Sequence, residues 1–384
     1  MQSSEGDGGA AIALNTCNTL IADCLFSNNA CRVQSGSYGK KALGGAVFAN
    51  GGSLVVTNCN FSNNRVGWSA DNSSQFGGAI ATWNTALGVQ GCRFEGNYSQ
   101  MSFKVVYGGA IYTRGGTVNI TDSLFTNNYS QVRMNNGGAA DEAYGGALSI
   151  QDAISARIAD SIFVGNRAIG YTANGGTVYL DNHTSTIVMT TVVERCVFDG
   201  YVPDLSSYCN VFQQDGGLLY MTNCLISRGS GTGGGFVNQV VGDMWCNGDK
   251  SMTPGAGDLV NVTIADNMGW GARKFADTGT MNLRNCIVWG NSEGGISNAT
   301  TVVYTDMQDG VLAGAGNLSR DPLFVDAANG NYRLGKFSPC GNVGNRSGFL
   351  RSDVDLDGEP RIRGGIDLGC YECRGSSGVC IMVR

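Results

Sequence analysis

The densest acidic run in the chain is Asp353-Val354-Asp355-Leu356-Asp357-Gly358-Glu359. Alternate carboxylates before a glycine are how a calcium loop begins, because hard oxygen ligands must converge from a tight turn. Asp353, Asp355 and Asp357 are therefore the candidate ligands, and calcium the one cofactor the sequence suggests. Counted inclusively from Asp353, the twelfth position is Gly364, not the bidentate Glu that closes such a loop. The alternative reading is a turn that closes the last structural unit.

Other chemistry is sparse. The single histidine, His183, lies in Asp181-Asn182-His183-Thr184, where a solvated side chain is the simpler reading. Hydrolysis of a polyuronate needs clustered Asp carboxylates to protonate the leaving oxygen and activate water. The elements that would supply them, Asn-Thr-Asp, Asp-Asp and Gly-His-Gly, do not occur. A lyase needs Arg or Lys as base beside bound calcium. The regularly placed acids Asp23, Asp122 and Asp160 suit turn capping better. Trp68, Tyr98 and Tyr129 could stack on sugar rings, which makes carbohydrate a candidate partner.

The elements that must carry these residues are repeats. Six segments share one pattern: Ile21-Cys24-Phe26, Val56-Cys59-Phe61, Val89-Cys92-Phe94, Ile120-Ser123-Phe125, Ile158-Ser161-Phe163 and Val193-Cys196-Phe198. The first five add Asn29, Asn64, Asn97, Asn128 and Asn166, each three residues after the Phe. Each segment follows a Gly-Gly pair, at 8–9, 44–45, 77–78, 108–109, 145–146 and 175–176. The first glycine stands 17 or 18 residues before the Phe in five units and 23 in the sixth, whereas the way to the next pair varies more. Constant spacing marks a stacking core and variable spacing a loop. Cys224, Cys286 and the Val262-Thr263-Ile264 segment continue the pattern in weaker form, and Gly216-Gly217 and Gly233-Gly234-Gly235 are candidates for further unit openings.

After each glycine pair comes a short β-prone run, and no stretch keeps helical periodicity over ten residues. Glycine, at 59 residues, is about twice its usual share. One such unit cannot bury its apolar side alone, but a stack of them can. The expected fold is all-β: a right-handed parallel β-helix of about nine to ten coils, on the order of 45 Å long. Its interior columns are Val/Ile, Phe and a small-residue ladder of Cys24, Cys59, Cys92, Ser123, Ser161 and Cys196, with an Asn ladder at the turn. Residues 1–300 are assigned to the helix and 301–384 to a C-terminal module that caps one end.

The Gly-Gly-Ala-Ile and Phe-x-x-Asn elements resemble the repeats of polymorphic outer-membrane proteins and related bacterial surface β-helices. Toward the C-terminus come Asn285-Cys286-Ile287-Val288-Trp289-Gly290-Asn291, Asp321-Pro322-Leu323-Phe324-Val325-Asp326 and Asn331-Tyr332-Arg333-Leu334. Ser338-Pro339-Cys340, Asp355-Leu356-Asp357-Gly358-Glu359-Pro360-Arg361 and Asp367-Leu368-Gly369-Cys370-Tyr371-Glu372 follow. That succession resembles the C-terminal module of secreted β-helix proteins described as "choice-of-anchor Q". The resemblance implies a secreted or surface-attached protein. Cys370 stands where that group usually has Ala, and no set of amphipathic barrel strands follows the repeats.

The 14 cysteines divide by position. Six lie on the repeat column, where Ser replaces them in two units, so they read as buried thiols acting as small apolar residues. The other eight, Cys17, Cys31, Cys209, Cys246, Cys340, Cys370, Cys373 and Cys380, read as disulfides in an oxidising compartment. Candidate pairs are Cys17–Cys31, Cys209–Cys246, Cys340–Cys370 and Cys373–Cys380, although sequence alone leaves connectivity open. Zinc on Cys370, Cys373 and Cys380 is the alternative. Of ten Asn-x-Ser/Thr sequons, those at Asn72, Asn182 and Asn345 fall in expected loops and are candidate glycan sites, whereas Asn97 and Asn128 belong to the ladder.

A net charge of −6 disfavours nucleic acid and anionic membranes as partners. The polar start gives no signal peptide, and no apolar run is long enough to span a bilayer. The first repeat begins almost at residue 1 with no evident cap, and an open parallel edge invites upstream chain or a second subunit stacking end to end. The expectation is an extracellular or cell-surface rod of structural or adhesive role, with a carbohydrate-active enzyme on acidic polysaccharide as the alternative.

Overall fold

The computed structural model describes residues 6–32, 41–67, 74–102, 105–132, 142–170, 172–182, 187–200, 211–230, 236–239, 255–274 and 279–373. Among them the chain is strand and turn, with no α-helix and one short 3-10 turn at Ala327–Asn329. A representative unit runs through Gln75–Phe76, Ile80–Trp83, Ala86–Gln90, Arg93–Glu95 and Tyr98–Met101. Each of these strands pairs in parallel with its counterpart in the units before and after. In the first two units the second and third strands run on as single strands, Ile12–Ala22 and Val47–Thr57, so their ladders share one sheet there. The pairing is always between neighbouring units, so this shared sheet is a stack rather than a closed barrel.

The ladder that carries the phenylalanines has ten strands among the described residues. Its register sets Phe26, Phe61, Phe94, Phe125, Phe163 and Phe198 in one row, continued by Ile226, Ile264, Val288 and Met307. Successive rings stack with centroids 4.7–5.0 Å apart. That is the strand spacing itself, so in-register pairing and offset ring stacking reinforce one another.

The asparagine column is a continuous amide ladder. Nδ2 of Asn64 donates to Oδ1 of Asn97 at 2.9 Å, and Nδ2 of Asn97 to Oδ1 of Asn128 at 2.9 Å. Each oxygen also accepts the backbone N–H of the preceding Asn, and each amide nitrogen reaches back to the carbonyl of the preceding unit's Phe. Both donors and both acceptor sites of an interior Asn are thereby used, which is what a fully buried amide requires.

The small-residue column is polar as well as small. Cys59, Cys92, Ser123, Ser161 and Cys196 each donate to the carbonyl two residues earlier, at 2.8–3.3 Å. The sulfur or oxygen of the first four also accepts a backbone N–H from the preceding unit, as Ser123 does from Cys92 at 3.2 Å. This double duty explains why Ser and Cys interchange there. Cys24 departs from the expected burial: it is exposed, on the first described unit.

The Gly-Gly pair is a steric requirement. Gly108 has φ +61°, where only glycine is unstrained. A Cβ on Gly109 would lie 2.0 Å from the carbonyl oxygen of Gly146 and 2.5 Å from the backbone of Tyr129. Gly216-Gly217 plays another part. It forms the corner between Phe212–Asp215 and Leu218–Thr222, as Gly115-Gly116 does earlier, and does not open a unit.

Two expectations about boundaries are corrected. The variable half of each unit is not all loop, since it carries the strand pairs of a five-stranded and a six-stranded ladder, such as Tyr98–Met101 and Val105–Tyr107. The repeats also do not stop at residue 300, because Thr301–Val303 and Asp306–Met307 extend two ladders.

The segment 314–318 then covers the last unit. Tyr304 N–H donates to Ala315 O at 2.7 Å, Thr305 N–H to Asn317 Oδ1 at 3.1 Å and Met307 N–H to Leu318 O at 3.1 Å. Past it the chain returns along the flank of the stack. Tyr332 donates to Asp266 at 2.9 Å, Asn285 donates to Asn345 O at 2.9 Å, and Asn223 donates to Val354 O at 2.9 Å. The C-terminal module is thus a short cap followed by a long lateral brace. Its key is Arg361, fully buried, which donates to Asn223 Oδ1 at 3.0 Å and to Glu372 Oε1 at 2.7 Å. A buried guanidinium persists only when it is paired in this way.

Burial pushes the Glu372 carboxyl up to about 7 against the opposing pull of Arg361, and burial also raises Asp306 and Asp266. A raised acid contributes stability that is present below its unfolded pKa and is lost as pH rises through its folded value. For Glu372 the window is about pH 4.5 to 7. The contribution is at most about 3 kcal/mol. Thermal melts are expected to show a higher midpoint at pH 5 than at pH 8, and Glu372→Gln is expected to flatten that difference. A midpoint that rises from pH 5 to pH 8 would contradict this account.

Candidate functional site

Chemistry-bearing side chains gather on the outer side of the stack, where the strand before each Gly-Gly pair meets the strand after it. Alternation along Ile111–Arg114 sends Ile111 into the main core and Tyr112 to the opposite face. The register lines up Ala81, Tyr112, Ser149, Tyr179 and Gln213 in one column, and Trp83, Arg114, Gln151, Asp181 and Asp215 in the next. Across the corner stand Phe76, Tyr107 and Tyr144. Their rings stack 5.0–5.4 Å apart, and Tyr144 tilts onto Tyr179 at 4.6 Å.

The hydroxyls and amides face carboxylates. Tyr112 donates to Gln151 Oε1 at 2.7 Å, and Gln151 donates to Asp181 Oδ2 at 2.9 Å. Tyr179 donates to Asp215 Oδ2 at 2.8 Å, and Gln213 to Asp215 Oδ1 at 2.9 Å. Tyr144 donates to Glu142 Oε2 at 2.9 Å. Burial first, and then the nearby charge of Asp181, drive the Tyr107 phenol well above its ordinary value; Tyr179 is raised by burial and by Asp181 and Asp215. These phenols therefore stay protonated donors.

The arrangement alternates donors and acceptors along the stack axis, and they satisfy one another. It also sets two carboxylates on adjacent strands, about 4.8 Å apart along the axis. Access is limited: Asp181 is 2% and Asp215 9% exposed. Sequence reasoning missed this corner. Its signal was present, because Tyr112, Ser149 and Tyr179 stand four residues, and Arg114, Gln151 and Asp181 six residues, after the first glycine of their pairs.

The expected sites fare differently. Asp353, Asp355 and Asp357 do not form a calcium cluster. Asp355 Oδ1 accepts the N–H groups of Asp357 and Glu359, at 2.9 and 2.8 Å, and its Oδ2 accepts that of Glu372 at 2.7 Å. Asp357 is held by the Arg333 guanidinium, Nε to Oδ2 at 2.7 Å, and Asp353 accepts Leu350 N–H at 2.8 Å. Among the described residues no three His, Cys, Asp or Glu side chains gather as a metal site. The run is a turn organised by Asp355, the alternative reading. Asp23, Asp122 and Asp160 stand at turns in the left-handed region, with φ 51–53°, and the Asp160 carboxylate accepts from Arg195.

Cys17, Cys340 and Cys370 are thiols, so the Cys17–Cys31 and Cys340–Cys370 bridges do not form. Cys31 is buried against Ala42 and Val66, whereas Cys17 is exposed. Cys340 faces Asp306 Oδ2 at 3.1 Å, and Cys370 packs in a different cluster with Leu225, Ala265 and Tyr332. Burial pushes the Cys370 thiol up to about 12. Cys209, Cys246 and Cys380 lie outside the described residues, and with them the two remaining pairs.

Tyr98 and Tyr129 stack on each other at 4.8 Å, and Arg167 lies over Tyr129 at 5.1 Å. Their stacking faces are largely occupied by protein, so they do not form the open platform anticipated for a sugar. Asn182 is buried, donating to Ile187 O and accepting Met189 N–H, and so cannot carry a glycan as folded. Asn345 is half-buried at the surface of the brace and remains the described candidate. Trp68, Asn72 and His183 lie outside the described residues.

A separate groove of about 350 Å³ separates the stack from the brace, with Arg195, Arg284, Asn223, Phe349, Glu194 and Asp353 on its walls. Its cations are engaged: Arg195 pairs with Asp160 at 2.6 Å, and Arg284 donates to Ser347 O at 2.7 Å. The enclosed volume and the carboxylate corner are thus different places, and the corner holds the richer chemistry.

The chain matches no family model, no curated protein and no solved structure. The motif resemblances accordingly stand on the motifs alone, and the structure adds the parallel β architecture. No helix among the described residues is long and apolar enough to cross a membrane.

Proposed function

We propose that this chain is a structural rod of an extracellular or cell-surface protein, built as a right-handed parallel β-helix of about ten coils and roughly 45 Å long. The observation that carries this reading is the row of ten in-register strands with its phenylalanine stack and amide ladder. Such ladders give stiffness and a fixed axial spacing, which are the properties of a display or adhesive element. The end at Met307 is covered by residues 314–318, which speaks against stacking of another subunit on that end. The motifs of the C-terminal module support a surface role by their likeness to anchor-type modules.

The second reading is a carbohydrate-active enzyme, and the carboxylates of Asp181 and Asp215 on adjacent strands favour it. A depolymerisation screen on uronic-acid polysaccharides, with and without calcium, separates the two. The rod reading expects no new reducing ends and no unsaturated products. Product formation by the native chain that disappears in Asp215→Asn would overturn it in favour of the enzyme.

A further inference from the structure

Cys24, Cys59 and Cys92 occupy one column on three consecutive units, each just before strands that pair Leu25 with Asn60 and Asn60 with Arg93. Parallel strand spacing puts neighbouring Cα atoms about 4.8 Å apart, within the roughly 4.4–6.8 Å that a disulfide spans. The two residues meet: Cys24 N–H donates to Cys59 Sγ at 3.3 Å, and each thiol donates to the carbonyl two residues earlier, so both sulfurs lie on the same side of their strands. Cys24 is exposed, whereas Cys59 and Cys92 are buried. The column therefore joins a thiol that reagents can reach to one that only its neighbour can reach.

We propose that Cys24 and Cys59 are an oxidisable pair that closes into a disulfide between the first two units on meeting a small-molecule disulfide. The exposed Cys24 thiolate attacks the reagent, forming a mixed disulfide and releasing one small thiol. The Cys59 sulfur then attacks Cys24 Sγ, the mixed bond breaks, and the Cys59 proton passes to the leaving sulfur, which departs as a second small thiol. Two protein thiols are oxidised and one reagent disulfide is reduced. Cys92 stays a thiol, since burial pushes it up to about 11 and Cys59 stands between it and solvent. Cys17, the other exposed thiol of the first unit, pairs across the strands with Gly52 and has no sulfur opposite it.

The consequence is a staple at the least buried unit. Phe26 is 8% and Ile21 6% exposed there, against complete burial of their counterparts Phe61 and Val56 one unit further in. Closing the segment between Cys24 and Cys59 restrains the unfolded chain and is expected to raise the unfolding midpoint by several degrees. The sequence reading placed disulfides off the column and thiols on it; this pair reverses that assignment.

The test is native-state incubation with oxidised glutathione, alkylation of the remaining thiols after unfolding, and mass spectrometry of a non-reduced digest. The expected product links the Cys24 and Cys59 peptides, with the loss of two alkylatable thiols and with Cys92 still alkylated. Cys59→Ser should trap glutathione on Cys24, and Cys24→Ser should protect Cys59 from oxidation. A persistent glutathione adduct on Cys24 in the native chain with Cys59 reduced, or a Cys17–Cys24 link, would overturn the proposal.

Discussion

Asn97→Leu is expected to lower the unfolding free energy by about 4 kcal/mol or more. Leucine has as many side-chain heavy atoms, but its methyl groups are bulkier than the planar amide, so overpacking of this buried site adds to the loss of the ladder bonds. Leucine strips the acceptor from both the Asn64 backbone N–H and Asn64 Nδ2, and the donor from the Phe61 carbonyl. All three groups are buried beside residues of essentially zero exposure, where water cannot replace the missing partner. Each such orphan costs about 1–3 kcal/mol. Denaturant titration of the two proteins measures the difference. A loss under about 1 kcal/mol would mean that the ladder relaxes around the gap and that the amides are not fixed by one another.

Gly109→Ala should be as damaging for a purely steric reason. The new methyl would meet the Gly146 carbonyl at 2.0 Å and the Tyr129 backbone at 2.5 Å, and both are backbone atoms that cannot rotate away. Relief requires adjacent strands to part, which weakens the pairing of Tyr98–Met101 with Tyr129–Val132 and of Ile111–Arg114 with Leu148–Gln151. A penalty of about 3 kcal/mol or more is expected, comparable to overpacking a core. Gly88→Ala is the matched control, since its methyl would meet only Val55 side-chain carbons at 3.7 and 3.9 Å. Thermal melts of the pair should therefore diverge, with Gly88→Ala close to the parent. Equal midpoints for the two variants would show that the Gly-Gly pair is not the tight point of the cross-section.

Much of this stack was legible because stacking copies one unit's requirements onto the next. The Phe, Asn and Cys/Ser rows could be read as interior columns, since only an in-register stack makes a spacing of 17 or 18 residues recur. Two things escaped. Strands such as Tyr98–Met101 sit between loops of changing length, so their period is blurred. The lateral brace depends on contacts across more than a hundred residues, such as Arg361 with Asn223, and no local pattern announces those. The acidic run 353–359 had two readings for a related reason. Alternate carboxylates before glycine also suit a turn in which Asp355 accepts three backbone N–H groups, and only packing tells that turn from a cation loop. The corner of Tyr112, Gln151, Asp181 and Asp215 was half-legible: the offsets recur, but the residues change type from unit to unit, and a column of changing chemistry does not read as a repeat.

The lateral brace has a consequence for how such a chain changes over evolutionary time. The hydrogen bonds described for it reach residues from Asn223 onward, and the groove beside it is lined from Glu194 onward, so the described brace gauges the later units. An in-frame duplication or deletion of one whole unit between residues 41 and 170 would shift the register by one complete period and leave every one of those bonds in place. Length is then a heritable variable separate from the closed end, and related chains are expected to differ in unit number ahead of a brace of constant size.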